Sequence, residues 1–428
     1  MRGARIVATA AAAALAAGVL AGCVTATPIR GRQGAVSLMQ DVDAKKLPVD
    51  AADLARAEQG STSFGLALLR ELGAGNGDMV YSPQTLVDLL GMLLPAARGQ
   101  TAAQLSATLG TAGLSPDTAA AAFGRIDATA RTDASQGSNT LDVASDLWLE
   151  YGFMPEPAYL AALGGAFGTG VHGADFARDP DGAEQSINAQ VASETHGYIR
   201  QLFAPHAFDV PPLLVLTDAV YLDARWAHPF DPNHTSDLPF YPSAGAAQQA
   251  STMDADGTYE YAAGHGWQAV ELPYSGGRLA MDVLLPAKGP GTLAALRNGL
   301  TADSLDSMLS ALRSQQVQVQ LPKFTTDYSP GDLDKDLSAL GLGALFQHAD
   351  LSGMSGPKQV YVSQVVEKAH IQVGEKGTVA AAAAGGAVGA TAARVPPPVS
   401  FTADHPFLYL IRDLSTGQLL FAGQVASL

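Results

Sequence analysis

The sequence predicts an α+β fold in which helices early in the chain pack on a large, mostly antiparallel sheet. Three observations predict it. Apolar residues recur at helical spacing in the first part of the chain, alternating runs crowd the later part, and a tract of small residues, "GEKGTVAAAAAGGAVGATAARVPPPVSF" at 374–401, separates two of those runs. At 428 residues and 47% hydrophobic, the chain can bury a large core.

The first residues lie outside this fold. "MRGARIVATAAAAALAAGVLAGC" carries Arg2 and Arg5, an apolar run from Ile6 to Leu20 and then small residues, which is the layout of a secretory signal and short for a membrane span. Its "LAGC" resembles the bacterial lipoprotein signal, in which the cysteine is lipidated after cleavage, and Cys23 is the only cysteine in the chain. Residues 1–22 are therefore read as a lipoprotein signal peptide, 23–55 as a lipidated cysteine with a flexible tether, and 56–428 as the folded domain. The protein is expected to be exported and lipid-anchored to a bacterial membrane through Cys23, facing periplasm or cell exterior. Intrachain disulfides are impossible.

"STSFGLALLREL" places Phe64, Leu68 and Leu72 on one helical face. "SPQTLVDLLGMLLPAARGQTAAQL" opens a helix at Ser82 with Pro83 in its first turn, breaks near Pro95 and Gly99, and restarts at Thr101. Strand patterns follow in "NTLDVASDLWLEYG" and in "LLVLTDAVYLDARW", an apolar run interrupted by Asp218. "WQAVELPYSGGRLAMDVLLP" reads as a hairpin around Ser275 to Gly277, "QVQVQLPKF" alternates strictly, and "QVVEKAHIQVG" is a further strand. "HPFLYLIRDLSTGQLLFAGQV" is a second hairpin, turning at Ser415 to Gly417.

The small-residue tract has the composition of a spacer. A spacer leads to another domain, however, and only Ser400 to Leu428 follow, too few for a separate core. The tract is an exposed excursion from one fold.

Composition narrows the function. With 41 acidic against 25 basic residues the net charge is −16, which repels phosphate backbones and argues against nucleic acid as a partner. No HExxH, GxSxG or GxxxxGK motif occurs, and the nine histidines are scattered, His370 within a strand pattern and His405 before Pro406. No enzyme, cofactor or metal centre is expected.

In order along the chain, "YSPQTL" with Gly99 and Thr101, "INAQVASETHGYI", "LTDAVYLDARWAHPF", "LPKF", "ADLSG", "EKGTVAAAA" and "FTADHPFLYLIRD" resemble the serpin family, over about Ser61 to Leu428. The resemblance implies the serpin fold and a suicide-substrate inhibitor of serine proteases, a monomer with no cofactor. In that mechanism a protease cleaves the exposed reactive loop, here 375–400, and the loop's first half inserts into the main sheet as a new strand before the acyl-enzyme hydrolyses.

The resemblance also implies roles for residues. Glu375, Gly377, Thr378, Ala380, Ala381, Ala382 and Ala383 match the hinge. On insertion Thr378, Ala380, Ala382, Ala384, Gly386, Val388 and Ala390 would face the buried side, and all are small and neutral. The family's usual spacing from the hinge glutamate puts the scissile bond at Thr391–Ala392, which suits an elastase-like or subtilisin-like protease. Counting back from "HPF" instead gives Arg394–Val395, which suits a trypsin-like one.

Lys323 and Glu375 match a pair bridging the sheet where insertion begins, with Trp226 beneath it, and Ser82 belongs to a central hydrogen-bonding cluster. This chain departs from the pattern at Val379, at Gln190, and at Asp218 and Glu367, where asparagine and histidine are usual. Asp218 and Glu367 are expected to approach and share a proton, because two buried carboxylates cannot cheaply both ionise. Separate solvation of the two is the alternative. The rival function is a serpin-fold binding or scaffolding lipoprotein that does not inhibit.

Overall fold

A computed structural model of the chain describes residues 35–378 and 398–428, apart from 40, 41, 45, 76, 169, 332, 357 and 358. The first part alternates short strands with helices: β1 (Val36–Ser37), α1 (Ala51–Leu72), β2 (Met79–Tyr81), α2 (Pro83–Gly91), α3 (Gly99–Thr108), α4 (Pro116–Ala134), β3 (Thr140–Glu150), α5 (Pro157–Ala166), β4 (Val171–Ala174) and α6 (Pro180–Glu194). A long strand β5 (Leu214–Arg225) is followed by β6 (Ser236–Phe240), β7 (Gln248–Gly264), β8 (Trp267–Pro273), β9 (Leu279–Pro286), α7 (Thr292–Gly299) and α8 (Ala302–Ser310). The chain then runs through β10 (Arg313–Pro322), β11 (Phe324–Tyr328), β12 (Gln364–Gly374), β13 (Gly377–Thr378), β14 (Val399–Thr402), β15 (Phe407–Asp413) and β16 (Leu419–Val425). Among the described residues no helix is long and apolar enough to cross a membrane.

Two sheets organise these strands. The main sheet has the order β1-β4-β3-β5-β13-β12-β11, and the second runs β14-β10-β7-β8-β9-β15-β16-β2 with β6 on β7. Most neighbours are antiparallel, as expected; β3–β4, β5–β12 and β10–β14 are parallel.

β5 is apolar on both faces because both are covered. Leu214 and Leu216 join the core under α1 and α2, and Val220, Leu222 and Ala224 join the core shared with the second sheet. On the opposite face Val215 and Ala219 pack with Trp148 against Ile187 and Val191 of α6. β12 is buried on its inner face alone, with Val365, Ala369, Ile371 and Val373 all inward. Strand alternation therefore assigns Asp218 and Glu367 to the inner face, at positions where an aliphatic residue would otherwise sit.

The chain joins the fold earlier than the expected boundary at residue 56. α1 starts at Ala51, where the Asp50 side chain accepts from the Asp53 amide at 2.8 Å. Before it, β1 extends the main sheet by pairing with β4, and the Leu38 amide donates to Val171 at 2.9 Å. Leu38, Met39 and Val49 pack on the core. The region assigned to a tether thus includes an edge strand, the first turn of α1 and apolar residues packed on the core.

Other elements were not anticipated. α4 follows a Ser115 cap and Pro116, signals present but diluted by an alanine-rich face. β7 is polar enough to lack a strand signature, yet it holds register with the alternating β10 from Arg313↔Tyr261 to Pro322↔Thr252. The signal peptide and Cys23 lie outside the described residues.

Candidate functional site

β12 ends at Gly374, the chain turns at Glu375 and Lys376, and Gly377–Thr378 returns as β13, antiparallel to both β12 and β5. This two-residue strand lies between β5 and β12 at one end of the seam they share. Beyond it the two long strands pair directly and in parallel, from His370↔Tyr221 to Gln364↔Val215. The main sheet is thus closed along its middle and wedged at one end.

The wedge requires a glycine. Gly377 has φ +148°, and a Cβ there would fall 2.0 Å from the Ala224 carbonyl oxygen and 2.7 Å from Arg225 Cα. Only a residue without a side chain lets β13 reach β5.

Neighbouring side chains hold the turn. The Trp226 indole N–H donates to the Gly374 carbonyl at 2.9 Å, and the Trp226 and Phe230 amides donate to the Lys376 and Glu375 carbonyls at 2.9 and 2.8 Å. Trp226 stacks on Tyr274 with centroids 4.5 Å apart, and the Tyr274 hydroxyl meets that of the fully buried Thr378 at 2.6 Å. Lys323 Nζ and Thr235 Oγ1 both donate to Glu375 Oε1 at 3.1 Å. Partial burial acts to raise the pKa of Glu375, but its backbone amide, Lys323 and Thr235 outweigh that and hold it below the usual range.

Asp218 and Glu367 face each other across the middle of the seam, directly opposite in register, with 0% and 1% of their surface exposed. α2 begins beneath them. Its capping residue Ser82 donates its backbone N–H to Glu367 Oε1 at 2.7 Å, Thr85 donates its hydroxyl to Asp218 Oδ2, and Ser145 on β3 donates to Asp218 Oδ1 at 2.7 Å. Glu367 Oε2 has no partner.

The two carboxyls thus approach each other as expected, and their bonded partners are Thr85, Ser145 and the Ser82 amide. Separate solvation is not seen, since both are buried. Burial pushes Asp218 up to about 7 despite Thr85, Ser145 and Arg131, and burial followed by the proximity of Asp218 raises Glu367 well above its ordinary value.

Lys323, Glu375, Trp226, Gly377 and Thr378 thus converge at one end of the seam, and Ser82, Asp218 and Glu367 at its middle. Val379, the hinge alanines Ala380, Ala381, Ala382 and Ala383, and both candidate bonds, Thr391–Ala392 and Arg394–Val395, lie outside the described residues. Gln190 bonds Glu194 at 2.6 Å on α6. His370 and His405 each pair with a carboxylate, Asp327 at 2.6 Å and Asp404 at 2.8 Å.

Sequence reasoning missed Tyr274, Thr235, Thr85 and Ser145, whose contacts come from distant segments. It also missed the buried Asp88, although an aspartate inside the apolar run "TLVDLLGML" was a visible signal.

Residues 59–428 match the family model described as "Serpin (serine protease inhibitor)". Iripin-2 of Ixodes ricinus is 35% identical over 384 residues, covering 88% of this chain and 95% of that protein. The leukocyte elastase inhibitor of Homo sapiens is 33% identical over 381 residues, covering 86% and 98%. Among solved structures, the thermophilic serpin tengpin in its native state superposes with a TM-score of 0.81 at 23% identity over 92% of this chain and all of that one, a likeness of fold. Serpin48 of the insect Tenebrio molitor gives 0.77 at 28% identity over 89% of this chain.

Proposed function

The chain belongs to the serpin family, and from that premise we propose that it is a suicide-substrate inhibitor of serine endopeptidases, tethered to a membrane through lipid on Cys23. The observation that carries the reading is the wedge. β13 already runs between β5 and β12 in the direction a longer strand would take, and the sequence that follows, Val379 to Ala390, is small and neutral throughout. A charge buried there would cost several kcal/mol and a proline would remove a ladder bond; the first proline is Pro396.

The chemistry divides between enzyme and inhibitor. The protease attacks the loop as a substrate and forms an acyl-enzyme. Continuation of β13 down the seam then carries the attached enzyme away before water completes hydrolysis. Ordering each residue costs about 1–2 kcal/mol and each ladder bond returns about 0.5–1.5 kcal/mol, so insertion depends on every position remaining compatible with a buried strand.

Relatives named leukocyte elastase inhibitor support an elastase-like target. Thr391–Ala392 is the favoured scissile bond and Arg394–Val395 the alternative, for a trypsin-like enzyme. The tether is supported by the "LAGC" signal and by the register of β1, which puts Val36 opposite Gly173 at the end of the main sheet remote from Thr378.

The test incubates the chain lacking residues 1–23 with elastase-like, subtilisin-like and trypsin-like proteases. A denaturant-stable complex that releases a C-terminal peptide beginning at Ala392 supports the reading, and one beginning at Val395 moves the bond. Cleavage without complex and without gain in thermal stability sinks it in favour of a non-inhibitory serpin.

A further inference from the structure

The seam between β5 and β12 is the only line along which the main sheet can admit β13's continuation, and it carries two acids at its centre. Among the described residues no cation is bonded to either. Arg131 of α4, whose charge reaches Asp218, is bound through Nε to both oxygens of Asp127 at 2.8 Å. From α2 comes a further acid, Asp88, whose Oδ1 takes the Gln84 amide at 2.9 Å while Oδ2 has no partner. Tyr81 of β2, whose hydroxyl donates to the Gly65 carbonyl, and Tyr328 of β11 are near enough to feel Glu367 and bring no positive charge. Across the sheet, on the α6 side, Asp146 is paired with His172 at 3.0 Å, with Glu194 near.

Space for water beside the pair is scant. The cavity lined by Ser82, Thr85 and Asp127 is about 10 Å³, about the space one water requires. Two facing carboxylates would stand there fully buried with one oxygen, Glu367 Oε2, lacking a hydrogen-bond partner in the protein.

We propose that Asp218 and Glu367 are a proton-operated lock on the β5–β12 seam, which lies closed while both are neutral and opens more readily once they lose their protons. The proposal deepens the insertion reading and rests on it for its role in inhibition. The sign follows from linkage. Burial raises both groups in the closed sheet, whereas parting the strands admits water and returns them toward ordinary carboxylate behaviour, so the open form binds fewer protons and gains as pH rises. The window runs from the ordinary aspartate range to about 7, where Asp218 lies. An asparagine–histidine pair at these positions would lack this response, since neither carries negative charge.

The experiment measures backbone hydrogen exchange in the full chain from pH 5 to 8, corrected for intrinsic exchange, at amides 215–221 and 364–370 with β10 as control. The opening constant of the seam should rise roughly tenfold or more between pH 5 and 7, with β10 unchanged. The rise should vanish in the Asp218→Asn, Glu367→Gln double variant; if that variant does not fold, Asp218→Asn alone must reduce it. A flat wild-type profile, or a rise that survives both substitutions, overturns the lock. A second arm cleaves the chain within 379–397 and follows the gain in thermal stability against pH. A pH-dependent seam with no gain at any pH upholds the lock and removes the insertion reading instead.

Discussion

Replacing Gly377 by alanine tests the claim that the wedge exists because one residue lacks a Cβ. The new methyl would stand 2.0 Å from the Ala224 oxygen, whereas carbon and its neighbours settle near 3.5 Å or beyond. β13 must therefore withdraw by more than an ångström or remain in place under strain. Remaining costs about 1–3 kcal/mol for the backbone conformation alone, before the clash is counted. Withdrawal gives up the pairing with β5 and the Tyr274–Thr378 hydroxyl bond, roughly 0.5–1.5 kcal/mol for each hydrogen bond. Withdrawal is the cheaper course. The variant should lose about 2 kcal/mol of stability by denaturant titration, the Thr378 amide should lose its exchange protection, and more inhibitor should be cleaved per complex formed. Gly417→Ala is the control: φ is +73° there but a Cβ meets nothing within 4 Å, so it pays only the left-handed backbone term of about 1–2 kcal/mol and leaves Thr378 protected. Unchanged protection at Thr378 with stability within about 0.5 kcal/mol of wild type would refute the steric reasoning.

Three further outcomes follow from named contacts. Trp226→Phe removes the indole N–H that serves the Gly374 carbonyl and should cost about 1–3 kcal/mol, read by denaturant midpoint. Lys323→Gln removes an ion pair whose lysine is 41% exposed and should cost less than about 1 kcal/mol at neutral pH, an effect that salt erases; because Glu375 is held below its ordinary value, its contribution is present above that value and disappears as pH falls through the lowered one, so the variant's stability should vary less across that acid window. Arg412→Met strips the guanidinium from Glu271 and from the buried Asp282, which burial already pushes up to about 6; the loss should be about 3–5 kcal/mol at neutral pH and should narrow in acid, where protonated Asp282 needs no counter-charge.

What could be read from sequence depended on whether the signal was local. β10 and β12 declare themselves because one face of each is buried and alternation records it, and the β15–β16 hairpin because two apolar runs buried on both faces flank a Ser-Thr-Gly turn. β5 was visible as an apolar run, and Asp218 as its interruption. The pairing of Lys323 with Glu375 and the facing of Asp218 and Glu367 came from resemblance, since no rule of spacing links residues so far apart in the chain. Thr85, Ser145 and Tyr274 escaped notice because their roles exist only after α2, β3 and the β8–β9 turn have been brought to the seam. The carboxyl pair shows the limit most sharply: the sequence left a shared proton and separate solvation open, and only the structure shows both acids buried, with the hydroxyls of Thr85 and Ser145 bonded to Asp218 and the Ser82 amide to Glu367.

The direction of β13 supplies the last step. β5 and β12 are parallel, so the closed seam is held by one slanted ladder, slightly weaker per residue than an antiparallel one. β13 is antiparallel to both neighbours, and each residue added along its path would exchange part of that single ladder for parts of two antiparallel ones. Ordering the loop opposes this at every residue, and the small side chains from Val379 to Ala390 add little burial to offset it. A gain in ladders is thus set against a cost in entropy, and the balance is close enough for conditions at the seam to decide how far and how fast insertion proceeds. Acids at the centre of the closed ladder, rather than at its ends, place that decision where the strands must part before β13 can continue past the middle of the seam.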